Sequence, residues 1–282
     1  MFGTIVALIC RIFSNPVANL FQKKLAQSHS AVWTNFYSYL ILSIFCLPLA
    51  LSFQWHYDIE FWMYVALSGL LCTLGSICLI KALQLGEMSV LAPINSYKCV
   101  VGLIAGFLFL GEIPDVSGVL GVILIIFGSR YIFDTVKEGF SFKLLKRLDI
   151  ILRICALIFT GCEAVVLKKI ILLSSPMESF ILWCFSGCLF SLIMIFGLRK
   201  KFERFCGYDW LKVFMIALCL GIMQFSTNIV FQRLNVGLSL ALFQLSGIVS
   251  VFFGYIVFKE KHILKKILGS VIMVIGSCLI IL

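Results

Sequence analysis

The sequence predicts an all-α membrane protein: ten transmembrane helices in two inverted five-helix repeats. Three observations carry that prediction. The chain of 282 residues is 62% hydrophobic and 13% charged, with a mean hydropathy of +1.11, whereas a soluble domain carries roughly 25% charged residues. Its apolar residues fall into ten runs, each near the ~20 residues that a helix needs to cross a bilayer. The second half of the chain also repeats the first. This composition excludes a secreted disulfide scaffold, a disordered protein and a cytosolic enzyme.

The runs are bounded by charges, aromatic rings, Pro or Gly. The first, 3–22, stops at Lys23 and Lys24. The second, 31–53, lies between Trp33 and Trp55, and the third, 60–82, between Glu60 and Lys81. The fourth, 88–110, follows Gly86-Glu87 and contains Pro93; the fifth, 115–133, opens at Asp115 and closes near Tyr131. A basic connection over 134–148 separates this first repeat, 1–133, from the second, 149–282. The second repeat holds runs at 149–169, 177–198, 209–231, 237–258 and 264–282. Trp33, Trp55, Tyr57, Trp62, Tyr131, Tyr208 and Trp210 fall near predicted ends, where amphipathic rings sit at headgroup level.

The repeat is legible by eye. A shift of 148 residues places Gly106 on Gly254, Glu112 on Glu260, Gly121 on Gly269 and Gly128 on Gly276, with GFLFLGE against GYIVFKE and GVILIIFGS against GSVIMVIGS. A shift of 145 places Lys23-Lys24 on Lys168-Lys169. Five crossings are odd in number, so the second copy enters from the opposite side. Such a plan puts a substrate site between the copies, near midplane. Eighteen of the 23 Lys and Arg, Arg153 counted among them, lie in the connections after the odd-numbered helices, and three on the other side. The positive-inside rule then puts both termini outside the cytoplasm.

The net charge of +10 belongs to these connections, so no nucleic-acid partner is expected. Most of the 12 Cys lie inside apolar runs, where Cys acts as a small hydrophobe. No CxxC, HExxH, GxSxG or phosphate loop is present. We therefore expect no metal, no cofactor and no enzyme chemistry.

Charges within spans are the informative residues, since each costs about 2.5–3.5 kcal/mol at a helix centre on insertion scales. Arg11, Lys98 and Glu163 qualify. Either they pair as a structural set, or they face a wet cavity in which their net charge of +1 favours a carboxylate- or phosphate-bearing solute. Arg11, Asn15 and Asn19 recur every fourth residue, with Gln22 three further on, as one stripe on the first helix. Gln224, Asn228 and Gln232 repeat the pattern on the eighth, while Asn95 and Gln244 lie on the fourth and ninth. Such amides either line a site or tie helices together. Pro93, near Asn95 and Lys98, is a hinge or a simple bend, and Glu163 is the candidate proton-coupling group. Gly102 with Gly106, and Ser246, Ser250 and Gly254, suit close contact between helices four and nine. Glu112 and Glu260, at span ends, suit capping or a gate latch.

The segment 81–130, with a small-residue-rich fourth helix containing a Pro, then Gly-Glu, then a fifth helix of spaced Gly, resembles the EamA-type repeat of the drug/metabolite transporter superfamily. The second copy keeps Glu260 but has Lys259 in place of the Gly. The resemblance implies a ten-helix alternating-access carrier of small organic metabolites, with a cavity lined by helices one, three, four, six, eight and nine. It also implies cytoplasmic termini, opposite to the charge count.

The expected function is a secondary transporter in the cell (inner) membrane, moving a small polar metabolite that is amino-acid-like, zwitterionic or anionic. Lys98 and Arg11 would hold the solute by charge, and Asn15, Asn95, Gln224, Asn228 and Gln244 by hydrogen bonds. The expected partners are that small molecule and the lipid bilayer, with the protein a monomer or homodimer. The alternative is a non-transporting membrane scaffold, or the membrane subunit of a lipid-modifying complex, whose charges would be paired and dry.

Overall fold

The computed structural model describes residues 2–105, 115–136 and 143–281. Among the described residues every regular element is helical. In chain order these are α1 (Phe2–Ala26), α2 (Ala31–Ala50), α3 (Ile59–Leu85), α4 (Met88–Leu91), α5 (Tyr97–Ala105), α6 (Val116–Phe133), α7 (Leu148–Leu173), α8 (Pro176–Gly197), α9 (Tyr208–Arg233), α10 (Val236–Phe243), α11 (Leu245–Phe258) and α12 (Ile263–Leu279). Among the described residues, eight stretches are long and apolar enough to cross a bilayer: α1, α2, α3, α6, α7, α8, α9 and the joined Val236–Phe258.

The expected ten uninterrupted spans need correction at two of the runs. The fourth run is divided, because Pro93 has no N–H to donate to Ser89; a 3-10 turn, Pro93–Ser96, separates α4 from α5. The ninth is divided without a proline, at Gln244, whose N–H turns back to the Ala241 carbonyl at 3.0 Å. The last helix has 17 residues. Gly106 and Glu112 lie outside the described residues.

Local chemistry sets the helix ends. Ser30, Asp115, Ser175 and Asn235 each accept a backbone N–H as N-caps, satisfying donors that the first turn cannot. Hydrogen bonds from the Gly118 N–H and then from the Ser117 hydroxyl hold the Asp115 carboxyl below its usual pKa. Lys23 and Lys24 occupy the last turn of α1, where the helix dipole favours cations.

The faces are sorted for lipid. On α1, Ile5, Ile9 and Phe13 point outward, while Asn19 and Gln22 are buried. The helices pack as antiparallel pairs across the two halves of the chain. In α2 and α8, Asn35 bonds Ser191 at 2.9 Å and Ser43 bonds the Cys184 carbonyl at 3.1 Å. In α3 and α7, Ser68 meets Glu163, and Gly75 lies against Thr160. Backbone approaches backbone most closely between α6 and α12. A Cβ at Gly121 would meet the Gly276 carbonyl oxygen at 2.5 Å, and one at Gly128 the Gly269 oxygen at 2.7 Å; the reverse contacts measure 2.6 and 2.5 Å. Without a hydrophobic force between helices in lipid, small residues of this kind allow the van der Waals contact that holds them together.

Candidate functional site

The broken helices meet at the centre of the bundle. Asn95, just past the first break, donates its amide to Gln244 Oε1 at the second, 3.0 Å away. The start of α11 lies on the first break as well, the Gly247 Cβ position being 3.8 Å from the Ala92 carbonyl oxygen. Around this crossing is a cavity of about 140 Å³, walled by α1, α3, the α4–α5 segment, α7, α9 and the α10–α11 segment.

Most residues singled out in the sequence line this one space. Arg11, Asn15, Asn19 and Gln22 form its α1 wall, and Asn95, Lys98, Glu163, Gln224 and Gln244 contribute from four other elements. Asn15 donates to Ser246 at 3.3 Å. Glu163 is buried, and its carboxylate accepts from Ser68 at 3.3 Å. The Arg11 guanidinium lies 4.0 Å from the Phe243 ring centroid, and its buried Nε and Nη1 find no hydrogen-bond partner among the described residues. Lys98 makes no ion pair among them. Pro93 opens the turn that breaks the helix.

Asn228 and Gln232 lie outside this lining. Asn228 is fully buried behind the wall; it accepts from Gln224 at 3.0 Å and donates to the Pro176 carbonyl at 3.0 Å. Gln232 is exposed. The α9 stripe therefore reaches the cavity through Gln224 and stops.

Sequence reasoning missed Arg153. Assigned to a connection by the charge count, it sits inside α7, buried, in the cavity wall. Its Nε donates to the Leu91 carbonyl at 2.9 Å. That carbonyl is available because the Asn95 N–H bonds Ala92 instead, so the break at Pro93 supplies the acceptor that fixes Arg153. The signal was present: Arg153, Thr160 and Glu163 fall at i, i+7 and i+10, one face of a helix. Tyr39 and Trp183 also reach the wall.

A buried ionic cluster joins the chain's two halves toward one end of the bundle. Glu260 accepts from Lys23 Nζ at 3.0 Å, from the N–H groups of Met88 and Ser89 at 2.8 Å each, and from the Ser89 hydroxyl. Burial pushes the Glu260 carboxyl up, but Lys23 and the Ser89 bonds outweigh it and hold it below the usual range. Lys23 also donates to the Gly86 carbonyl at 2.8 Å. At the end of α9, Lys168 donates to the carbonyls of Phe231 and Leu234.

Comparison with known proteins gives three kinds of match. The sequence model of the EamA-like transporter family matches twice, over residues 2–133 and 147–282. A Sinorhizobium sp protein named "Uncharacterized transporter in cobO 3'region" is 31% identical over 127 residues, 44% of this chain and 90% of that protein. A Rickettsia prowazekii (strain Madrid E) protein named "S-adenosylmethionine uptake transporter" is 28% identical over 142 residues, 49% of this chain and 47% of that protein. A solved structure described only as "Crystal structure of protein" superposes with a TM-score of 0.64 at 12% identity, covering 96% of this chain and 95% of that one. That last likeness concerns the fold alone.

Proposed function

The chain belongs to the EamA-like transporter family, and from that premise we propose that it is a secondary transporter moving a small polar, zwitterionic or anionic metabolite by alternating access. It is a multi-pass integral membrane protein, not an enzyme. The observation that carries the reading is the cavity: four charged side chains, drawn from α1, α5 and α7, line a single space at the crossing of two broken helices. A bilayer-embedded bundle tolerates such charges where they face water or a ligand, and broken helices are the usual setting of transporter sites.

The inverted two-repeat plan, with ten crossings counting α4–α5 and α12, is part of this proposal. One family model matching each half supports it. So does the reciprocal, antiparallel contact of Gly121 with Gly276 and Gly128 with Gly269, positions that the 148-residue shift makes equivalent in pairs. The lysines agree too: Lys23 meets Gly86 O, Lys168 meets Leu234 O, and the same shift carries residue 86 to 234. In alternating access the Lys23–Glu260 cluster must open when the halves rock, with Pro93 and Gln244 as the bending points. Lys98 and Arg11 would hold an acidic group, Asn15, Asn95, Gln224 and Gln244 polar ones, and Glu163 a cationic group or the coupling proton. Asn228 would act one step back, by orienting Gln224. S-adenosylmethionine, the solute named for one relative, has an amino-acid end that suits this set, but its sulfonium adds positive charge to a cavity already rich in it.

The test is counterflow in proteoliposomes. Preloaded, unlabelled solute should drive transient accumulation of the labelled form, and Lys98→Ala should abolish it. A protein that shows no counterflow across a panel of amino acids, organic acids and phosphate esters is not the proposed carrier.

A further inference from the structure

The charges of the cavity do not balance. Lys98 and Glu163 cancel one another, whether both are ionised or the proton has passed between them. Arg11 and Arg153 remain, and guanidinium groups stay charged in proteins. No ion pair involves either one among the described residues. Arg153 spends its Nε on the Leu91 carbonyl and has no further hydrogen bond among them, and the Nε and Nη1 of Arg11 have none among them either. Buried charges in native proteins are paired or bound to something that pairs them.

Their placement is as telling as their number. Arg11, on the first helix of one half, lies over Phe243, the last residue of α10 before the break in the other half. Arg153, on the first helix of the second half, is fastened to Leu91, just before the break in the first. Each half thus delivers one guanidinium to the other half's broken helix, and both line the same cavity. A guanidinium fork matches the planar oxygens of a carboxylate or phosphate, which a lysine does not.

Resting on the transporter reading above, we propose that the solute is a small organic dianion, either a dicarboxylate or a phosphate monoester, whose two negative charges neutralise Arg11 and Arg153 together. Binding one charge to each half makes the loaded cavity neutral. The empty one keeps two uncompensated cations, which oppose closure without solute.

The experiment is thermal unfolding of the purified full chain with four probes: succinate, glycerol 3-phosphate, alanine and S-adenosylmethionine. Succinate or glycerol 3-phosphate should raise the midpoint saturably, and which of them does so identifies the acid group. Arg11→Gln and Arg153→Gln should each weaken that response at least tenfold, whereas Arg130→Gln, 68% exposed and outside the cavity lining, should preserve it. Arg11→Gln should also raise the midpoint of the ligand-free protein, because it removes an unpaired buried charge; a purely structural arginine would lower it. Absence of a response to both dianions overturns the proposal whatever the other probes do. So does a ligand-free midpoint that falls in Arg11→Gln with the dianion response intact. Counterflow of alanine or S-adenosylmethionine alone would leave the transporter standing and remove its dianion.

Discussion

Replacing Glu260 tests how the two halves are tied. Its carboxylate is 6% exposed and Lys23 11% exposed, so neither is rescued by water when the other is lost. Removing one member of a buried pair costs about 3–5 kcal/mol, because the remaining charge is stranded. Glu260→Ala should fall in that range. Glu260→Gln retains one oxygen, for either the Met88 or the Ser89 N–H, which Glu260 binds through different oxygens, so it should cost about 2–3 kcal/mol, near the value of a hydrogen bond to a charged group. Reversible unfolding of the purified protein, with a Lys23→Met/Glu260→Gln double-mutant cycle, measures it. The double variant should be more stable than the sum of the two single losses by at least 1 kcal/mol. The pH dependence has a defined sign. The folded carboxyl titrates below its unfolded value of about 4.3, so its contribution is complete above that pH and disappears as pH falls through the folded value. The gap between wild type and Glu260→Gln should be flat from pH 8 to about pH 5 and shrink below about pH 4. A cost under about 1 kcal/mol, additivity with Lys23→Met, or a gap that widens in acid would refute the reasoning.

Three other substitutions probe separate steps. Gly128→Ala pushes a methyl group to 2.7 Å from the Gly269 carbonyl oxygen and should lower stability by about 1–3 kcal/mol, seen as a reduced Tm. Lys259 holds a left-handed backbone at φ 53°, which costs a non-glycine residue roughly 1–2 kcal/mol; Lys259→Gly should raise stability by up to about 1 kcal/mol, and Lys259→Val should lower it. Pro93→Ala restores an N–H able to bond Ser89 and straighten the fourth run, drawing the Leu91 carbonyl away from Arg153. Counterflow should drop at least tenfold while Tm changes little.

Much of the fold was legible because lipid imposes a simple code: apolar length, terminal charge and period. That code located the runs and aligned the spaced glycines of α6 and α12 as equivalents; it placed close packing between helices four and nine and did not foresee that α6 and α12 meet through those glycines. It also gathered Arg11, Asn15, Asn95, Lys98, Glu163, Gln224 and Gln244, since polar groups in a lipid-embedded bundle have few places to go. Three features escaped it. The break at Gln244 has no proline, only a side chain that bonds its own helix at Leu240, so nothing in composition marks it. Arg153 lies close enough to a helix start to pass for a connection. Asn228 has the spacing of a cavity residue, yet a 100° step per residue drifts along α9 and turns it toward the start of α8. The Lys259 that breaks the family's Gly-Glu pattern shows why glycine suits that place, for its φ is positive.

The central claim is a hydrated cavity, reached by water, that holds charges in the middle of a lipid-embedded bundle. Single cysteines at positions 98 and 224, and at the outward-facing Val165 (62% exposed), in a background without other reactive thiols, test it in proteoliposomes with a membrane-impermeant thiosulfonate. Positions 98 and 224 should be modified by reagent on either side of the vesicle, and protected by a bound solute, while position 165 stays unreactive. Silence at 98 and 224, or labelling from one side only under every condition, would contradict it.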